Sequence, residues 1–187
     1  QRSIMNLDTE TGISVMKIEE KLDSGPVSNV YKIKLHNNDN AQEVSEKLSN
    51  LAAEKILDNI DDILEDKAKF VNQDHTKASY AKKIDKNEGK INWNDEAKII
   101  IGKINGLFPI PGAFFNFHGE RYKILKAEIG NGIGQAGEVI SDKLEVACNN
   151  NKSIKIIEIQ RQGKKPQKIG EFMLGSQIKK GSIISNV

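Results

Sequence analysis

The strongest constraint on the fold is a series of short strand candidates in the second half of the chain. Five segments rich in β-branched and aromatic side chains recur at roughly even spacing, namely residues 113–117, 121–128, 137–140, 144–148 and 154–159. Turn-forming residues separate them, most clearly at His118-Gly119-Glu120, residues 130–134 and Asn149-Asn150-Asn151. Several short strands joined by Gly- and Asn-containing turns favour a closed or partly closed β-barrel.

A helix is predicted on each side of these strands. Asn94 is the predicted N-cap of the first helix, and Asp95 and Glu96 supply negative charge in its first turn. The helix has one apolar face and ends near Gly106, and residues 169–174 form a short last helix. Five strands with basic loops suit an oligonucleotide-binding (OB-like) barrel, which we place at residues 89–187.

The first part of the chain has a different pattern, typical of an α/β domain. Residues 13–18 alternate apolar and polar side chains, and residues 27–35 form a second, less regular strand candidate. A long amphipathic helix begins at Asn40, with Glu43 at the capping-box spacing. Two strands and one helix bury too little apolar surface to stand alone, so this part needs further polypeptide, most simply upstream chain. We assign residues 1–69 to it and residues 70–88 to a linker.

Composition excludes several classes of protein. The chain is 37% hydrophobic and 29% charged, which is typical of globular proteins. The single cysteine, Cys148, permits no internal disulfide, and we expect a buried, inert thiol in a reducing compartment. No apolar run reaches the ~18 residues of a membrane span, and no leader opens the chain, so we expect a cytoplasmic location. Because the first residue is Gln1 rather than Met, we expect the chain to begin inside a longer protein.

Charge is distributed unevenly along the chain. Up to Glu88 there are 13 Lys and Arg against 17 Asp and Glu, whereas from Gly89 onward there are 15 against 9. A basic second half indicates a polyanionic partner such as nucleic acid. The alternative is an ordinary lysine-rich solvated surface, and charge alone leaves both readings open. The doublets Lys164-Lys165 and Lys179-Lys180 are candidate phosphate contacts under the first reading.

The sequence contains no clear motif for metal or phosphate binding. His36, His75 and His118 have no neighbours at metal-ligand spacing, so we expect no metal site. The glycines of residues 130–134 open no helix and indicate a flexible hairpin loop rather than a phosphate site. Trp93 is the only tryptophan, and we expect a buried packing anchor rather than a base-stacking platform.

The turn Lys21-Leu22-Asp23-Ser24-Gly25-Pro26 lies between the two strand candidates of the first part. Asp and Ser bond back to turn amides, Gly accepts a positive φ and Pro fixes φ. Its chemistry alone favours a connecting turn, but loops on rigid scaffolds also carry catalytic groups.

The motifs and their order resemble the methionyl-tRNA formyltransferase family over nearly the whole chain. The resemblance rests on Gln1-Arg2-Ser3-Ile4, Thr11-Gly12-Ile13-Ser14-Val15-Met16, Leu22-Asp23-Ser24-Gly25, Tyr80-Ala81-Lys82-Lys83-Ile84, Glu88-Gly89-Lys90-Ile91-Asn92-Trp93 and Phe108-Pro109-Ile110-Pro111-Gly112-Ala113. Two positions depart from the family's motifs: Asn92 stands where Asp is common, and Ile110 stands where the family has Trp.

The resemblance implies a Rossmann-like formyltransferase domain followed by an OB-like barrel that binds tRNA. It implies formyl transfer from 10-formyltetrahydrofolate to the amine of methionyl initiator tRNA, by a monomer without a metal. By the same match Asp23 is the catalytic aspartate, and Ile18, Glu19 and Glu20 border the pterin of the folate. The family's catalytic Asn and His lie upstream and are absent from this sequence, so we expect the chain alone to be inactive. A non-catalytic tRNA-binding fragment and a formyltransferase acting on a sugar-nucleotide amine remain as alternatives.

Overall fold

The computed structural model describes residues 1–185 and divides into two compact units. The sheet unit comprises Gln1–Leu7, Asn37–Ala41 and the chain from Ile84 onward, and the hairpin unit comprises Asp8–His36 and Gln42–Lys83. The first seven residues therefore pack with the C-terminal part of the chain, although the sequence grouped them with the first domain. The domain boundaries at residues 69 and 88 stay predictions. In the described part of the chain no helix has the length and apolar character needed to cross a membrane.

The hairpin unit is built from two antiparallel strands and one long helix. The strands are β1 (Glu10–Met16) and β2 (Val27–Lys34), which pair from Glu10↔Lys34 to Met16↔Val27, and the helix is α2 (Ala41–Leu64). These elements confirm the predicted order of two strands and a helix. Val71 adds a short bridge to Val27, with a backbone hydrogen bond of 2.9 Å in each direction.

Polar contacts join helix α2 to the hairpin. The buried Asn59 amide donates to the Tyr31 hydroxyl at 2.7 Å, and the Lys55 ammonium lies 5.7 Å from the centre of the Tyr31 ring. The predicted apolar stripe is only partly covered, since Val44 is buried but Ile56 and Ile60 are 42% and 38% exposed. Leu57 and Leu64 are 73% and 76% exposed.

The sheet unit contains a curled antiparallel sheet of five strands. They are β3 (Ala113–Phe117), β4 (Glu120–Gly130), β5 (Glu145–Cys148), β6 (Lys152–Arg161) and β7 (Gln167–Lys168), in the order β3-β4-β6-β5 with β7 beside β6. The pairing of β4 with β6 shifts register around Lys126, and such bulges bend a strand and increase its twist. Helices α3 (Ala97–Leu107) and α4 (Ile169–Gly175) complete the unit.

One cluster of buried side chains holds this sheet unit together. Trp93, Phe115 and Tyr122 form its aromatic centre, and Ile100 and Ile104 of α3 pack on it. Trp93 is fully buried, as predicted, with its ring centre 6.0 Å from that of Phe115. Cys148 is also buried, as predicted, and burial raises the pKa of its thiol to about 11.

Three expectations about this unit need correction, and one strand was not predicted. Residues 137–140 form single bridges at Glu138 and Val139 instead of a strand, and β7 was not predicted. Glu96, not Asn94, is the N-cap of α3, and its side chain makes no capping hydrogen bond. The glycines of residues 130–134 are tightly packed: a Cβ at Gly130 would lie 2.3 Å from the Ser153 hydroxyl.

The His118-Gly119 turn is confirmed. His118 and Gly119 have φ angles of 49° and 79°, which two-residue hairpin turns of the primed types require.

Helix α1 (Arg2–Met5) lies in a notch on α3 made by two glycines. A Cβ at Gly106 would lie 2.6 Å from the Met5 side chain and 2.9 Å from the Gln1 carbonyl oxygen, and one at Gly102 would lie 3.2 Å from the Ile4 carbonyl oxygen. The absence of side chains at these two positions is what allows α1 to approach the α3 backbone.

An ion pair also fixes α1. The Arg2 guanidinium contacts both Glu88 carboxylate oxygens, at 2.5 and 2.9 Å. The Arg2 side chain and the Asp85 backbone N–H hold the pKa of Glu88 at about 2, below the ordinary 4.5.

We expect Glu88→Gln to lower the urea midpoint of unfolding at pH 7. A carboxyl group with a depressed pKa stabilises the folded state above its ordinary value of 4.5, and that stabilisation disappears as the pH falls through about 2. The difference between variant and parent should therefore shrink as the pH falls below 4.5, measured by circular dichroism. Asp142→Asn, which removes an exposed carboxylate with no ion pair in the described chain, is the control and should show no such trend. A difference that stays constant with pH would contradict the assignment.

Candidate active site

The loop of residues 17–26, which joins β1 to β2, carries all four residues predicted for the active site. Ile18, Glu19, Glu20 and Asp23 lie on it, and all four are exposed. Ile18 is 94% exposed. The structure thus brings the predicted catalytic and folate-bordering residues together on one loop.

Close approach of the backbone closes the base of this loop. The Lys17 N–H donates to the Pro26 carbonyl at 2.9 Å, and a Cβ on Gly25 would lie only 1.8 Å from the Lys17 carbonyl oxygen. No side chain larger than hydrogen fits at position 25 without moving the backbone of the loop. The glycine of the Leu-Asp-Ser-Gly motif is therefore required by packing.

The backbone at Asp23 has an uncommon conformation. Its φ is 53°, in the left-handed region that Asp and Asn adopt more readily than most residues. The Ser24 hydroxyl donates to the Lys21 carbonyl at 2.8 Å, which fixes the turn from the other side. Within residues 1–185 the Asp23 carboxylate makes no hydrogen bond or ion pair, so it is available to a ligand or to another polypeptide.

Gln73 holds this conformation from outside the loop. Its side-chain amide donates to the carbonyl oxygens of Asp23 and Gly25, at 3.0 and 2.7 Å. Lys17 is held from the same segment, since its ammonium lies 4.6 Å from the centre of the Phe70 ring. Residues 70–78 are polar and lack periodicity, so they were interpreted as the start of the linker. No sequence pattern therefore predicted either contact.

Other candidates from the sequence lie elsewhere. His118 occupies its hairpin turn with its ring stacked on Phe117 at 4.1 Å, and His75 begins a short 3-10 turn (His75–Lys77). Among the described residues no group of three or more His, Cys, Asp or Glu side chains could hold a metal ion. Ile110, at the position of the family's Trp, is 75% exposed, and both peptide bonds that precede the prolines around it are cis.

A family comparison decides where the chain belongs. Residues 83–177, half of the chain, match the family described as formyl transferase, C-terminal domain. The chain belongs to the formyl transferase family.

Similarity to a formyltransferase also extends beyond residues 83–177 to the whole chain. The methionyl-tRNA formyltransferase of Pelagibacter ubique is 67% identical over all 187 residues, and the chain spans 60% of that protein's length. This identity includes the hairpin unit and its loop, which lie outside the family match.

Two solved structures have a similar fold. HypX from Aquifex aeolicus, in complex with tetrahydrofolic acid, matches 93% of this chain and 31% of its own, with 17% identity and a TM-score of 0.67. WlaRD, a sugar 3N-formyl transferase solved in the presence of dTDP and 5-N-formyl-THF, matches 88% of this chain and 59% of its own, with 20% identity and a TM-score of 0.68. At these identities the likeness concerns the fold alone.

We expect Gln73→Ala to loosen the loop of residues 17–26 without unfolding the protein. Two hydrogen bonds are lost, each worth roughly 0.5–1.5 kcal/mol, so loop amides should exchange about 5- to 150-fold faster. Hydrogen–deuterium exchange with peptide-level mass spectrometry measures this. Gln42→Ala removes only an exposed bond to Glu46 and serves as the control. Equal exchange in the loops of parent and Gln73→Ala would contradict the role given to Gln73.

Proposed function

We propose that this chain is the C-terminal part of an enzyme that transfers a formyl group from 10-formyltetrahydrofolate to the amino group of methionyl initiator tRNA. The observation that carries the proposal is the 67% identity to a methionyl-tRNA formyltransferase over the whole chain. In this proposal the hairpin unit is the end of a Rossmann-like catalytic domain, and the sheet unit is an OB-like domain that binds tRNA.

The exposed apolar surface of the hairpin unit supports an upstream partner segment. None of the residues in the main core cluster belongs to this unit, whereas Ile18, Leu22, Val30, Leu57 and Leu64 are largely exposed. Large exposed apolar patches mark surfaces that contact another polypeptide. Since the chain spans 60% of its relative, we propose that the missing segment covers these side chains and supplies the catalytic Asn and His.

Asp23 has the chemistry that the reaction needs. When an amine attacks the formyl carbon, a tetrahedral oxyanion forms and the attacking nitrogen must lose a proton. The oxyanion then collapses, the bond from the formyl carbon to the folate nitrogen breaks, and that nitrogen takes up a proton. A carboxylate can accept that proton through water, or hold an imidazole in the required tautomer. The Asp23 carboxylate is exposed and unpaired within the described chain, and its backbone is fixed through Gln73. We assign it as the orienting or general-base carboxylate.

Ile18, Glu19 and Glu20 are proposed to border the pterin of the folate. A flat heterocycle can cover the exposed Ile18 side chain, and carboxylates accept hydrogen bonds from ring N–H and amino groups. Folate is a substrate in this scheme. The tetrahydrofolate complex of HypX supports the ligand class.

A sugar-nucleotide amine is the second candidate acceptor. The fold similarity to a sugar 3N-formyl transferase favours it. The excess of Lys and Arg from Gly89 onward favours tRNA instead, because each of these side chains can contact a phosphate of the RNA backbone and so increase the affinity.

A chimeric enzyme tests the function and the acceptor together. The part of the Pelagibacter ubique protein that precedes the matched region would be fused to this chain, and formyl transfer from 10-formyltetrahydrofolate would be followed. We expect methionyl-tRNA to be formylated by the chimera and not by the 187-residue chain alone. Binding of tRNA should weaken steeply with salt, with a slope of about −0.9 per phosphate neutralised. Formylation of a dTDP-amino sugar in preference to methionyl-tRNA would overturn the choice of acceptor.

In the same chimera we expect Asp23→Asn to lower turnover by roughly 10²–10⁴ with folding unchanged, because the amide cannot take the proton. Asn also tolerates the left-handed backbone, so the loop should keep its shape. Asp66 is a matched control, an exposed Asp with a φ of 56°, and Asp66→Asn should leave turnover unchanged. Undiminished turnover in Asp23→Asn would remove this residue from the mechanism.

A further inference from the structure

A second candidate binding site lies on the sheet unit. It is a cleft of about 440 Å³ beside the segment that joins β6 to β7 and helix α4. Tyr122 and Phe172 are its buried lining, and Arg161, Lys164 and Lys165 form its basic side. Pockets of this size in proteins hold molecules larger than a single phosphate ion. The inference below does not depend on the proposed formyl transfer.

The basic side of the cleft is positioned by the backbone. The Lys164 N–H donates to the Arg161 carbonyl at 3.0 Å, and the Gln160 side chain donates to the Lys164 carbonyl at 2.9 Å. Gly163 has a φ of 72°, which completes a tight turn, and β7 pairs with β6 on the far side of it. A ligand would therefore meet a preformed turn, which reduces the ordering cost of binding.

Only some of the charged side chains in the cleft form ion pairs. Arg161 forms an ion pair with Glu120, which also accepts a hydrogen bond from the Tyr122 hydroxyl at 2.7 Å. Lys164 and Lys165 have no ion-pair partner within residues 1–185. The Glu171 carboxylate also lines the cleft, but neither lysine forms an ion pair with it, and two neighbouring cations without ion pairs favour a phosphate group at this rim.

The rest of the lining can contact a heterocycle. Tyr122 and Phe172 are arranged edge to face with ring centres 5.8 Å apart, and they form a small apolar floor. Ser176 is 8% exposed and its hydroxyl oxygen accepts from the Ile178 N–H at 3.1 Å, so its O–H remains able to donate. Gln167 adds an amide to the wall, which can both donate and accept.

We propose that this cleft binds one nucleotide, with its phosphate at Lys164 and Lys165 and its base against the Tyr122 and Phe172 floor. The edge of the base meets Ser176 and Gln167. The same chemistry is available in a free mononucleotide and in a nucleotide of single-stranded RNA.

Titration followed by NMR chemical shifts on the 187-residue chain tests the proposal. The probes are AMP, GMP, CMP and UMP, inorganic phosphate, and a single-stranded RNA tetramer. We expect at least one nucleotide probe to shift residues of the cleft and to bind more tightly than phosphate. Saturation by a mononucleotide identifies the free ligand, whereas saturation by the tetramer alone identifies RNA.

Matched charge variants localise the site. Lys164→Gln with Lys165→Gln should weaken nucleotide binding about tenfold, because two charge-assisted contacts are lost. Lys126→Gln with Lys143→Gln makes the same change in net charge at two exposed lysines outside the cleft lining and should have little effect. Ser176→Ala should weaken binding a few-fold and leave phosphate binding unchanged. Equal losses in the two lysine pairs, or phosphate binding as tight as that of every nucleotide, would overturn the proposal, as would no binding at millimolar ligand.

Discussion

Apolar burial in this chain is concentrated around the aromatic centre of the sheet unit. Trp93, Phe115 and Tyr122 pack against isoleucines of α3 and of the sheet, and these contacts supply most of the driving force for folding. The hairpin unit has no residue in this cluster, and the buried Asn59 of α2 donates a hydrogen bond to the Tyr31 hydroxyl of β2. The sheet unit therefore has a continuous apolar core, whereas the hairpin unit leaves several large apolar side chains exposed.

The loop around Asp23 shows how a poorly buried unit can still hold a defined site. Its geometry depends on Gly25, whose missing side chain lets two backbone segments meet, and on Gln73, whose amide fixes two carbonyl groups. Neither contact needs a large core. These two contacts therefore hold the backbone of Asp23 in one conformation although its side chain is exposed.

Much of the architecture follows from sequence patterns, because period-two alternation and turn residues report local structure directly. Strand β3 and helix α4 lie where the sequence predicted them, and so does the His118-Gly119 turn. The errors occur where a tertiary contact overrides the local pattern. Val139 has the residue type of a strand but makes only an isolated bridge with Val146, and the polar stretch that contains Gln73 gave no periodic signal.

The candidate site was predictable only through its motif. Leu22-Asp23-Ser24-Gly25 reads locally as a turn, and the resemblance alone singled out the aspartate. Gln73, whose side chain donates to the Asp23 carbonyl, lies 50 positions further along the chain. No local sequence pattern predicts that contact or the left-handed φ of Asp23.

The glycine notch on α3 has a consequence for shortened versions of this protein. Without the first seven residues, the α3 backbone at Gly102 and Gly106 would be exposed to solvent. Glu88 would also lose its ion pair with Arg2. Such a trough would accept a short amphipathic helix supplied as a separate peptide. The two glycines thus give α3 a surface whose shape fits the first seven residues.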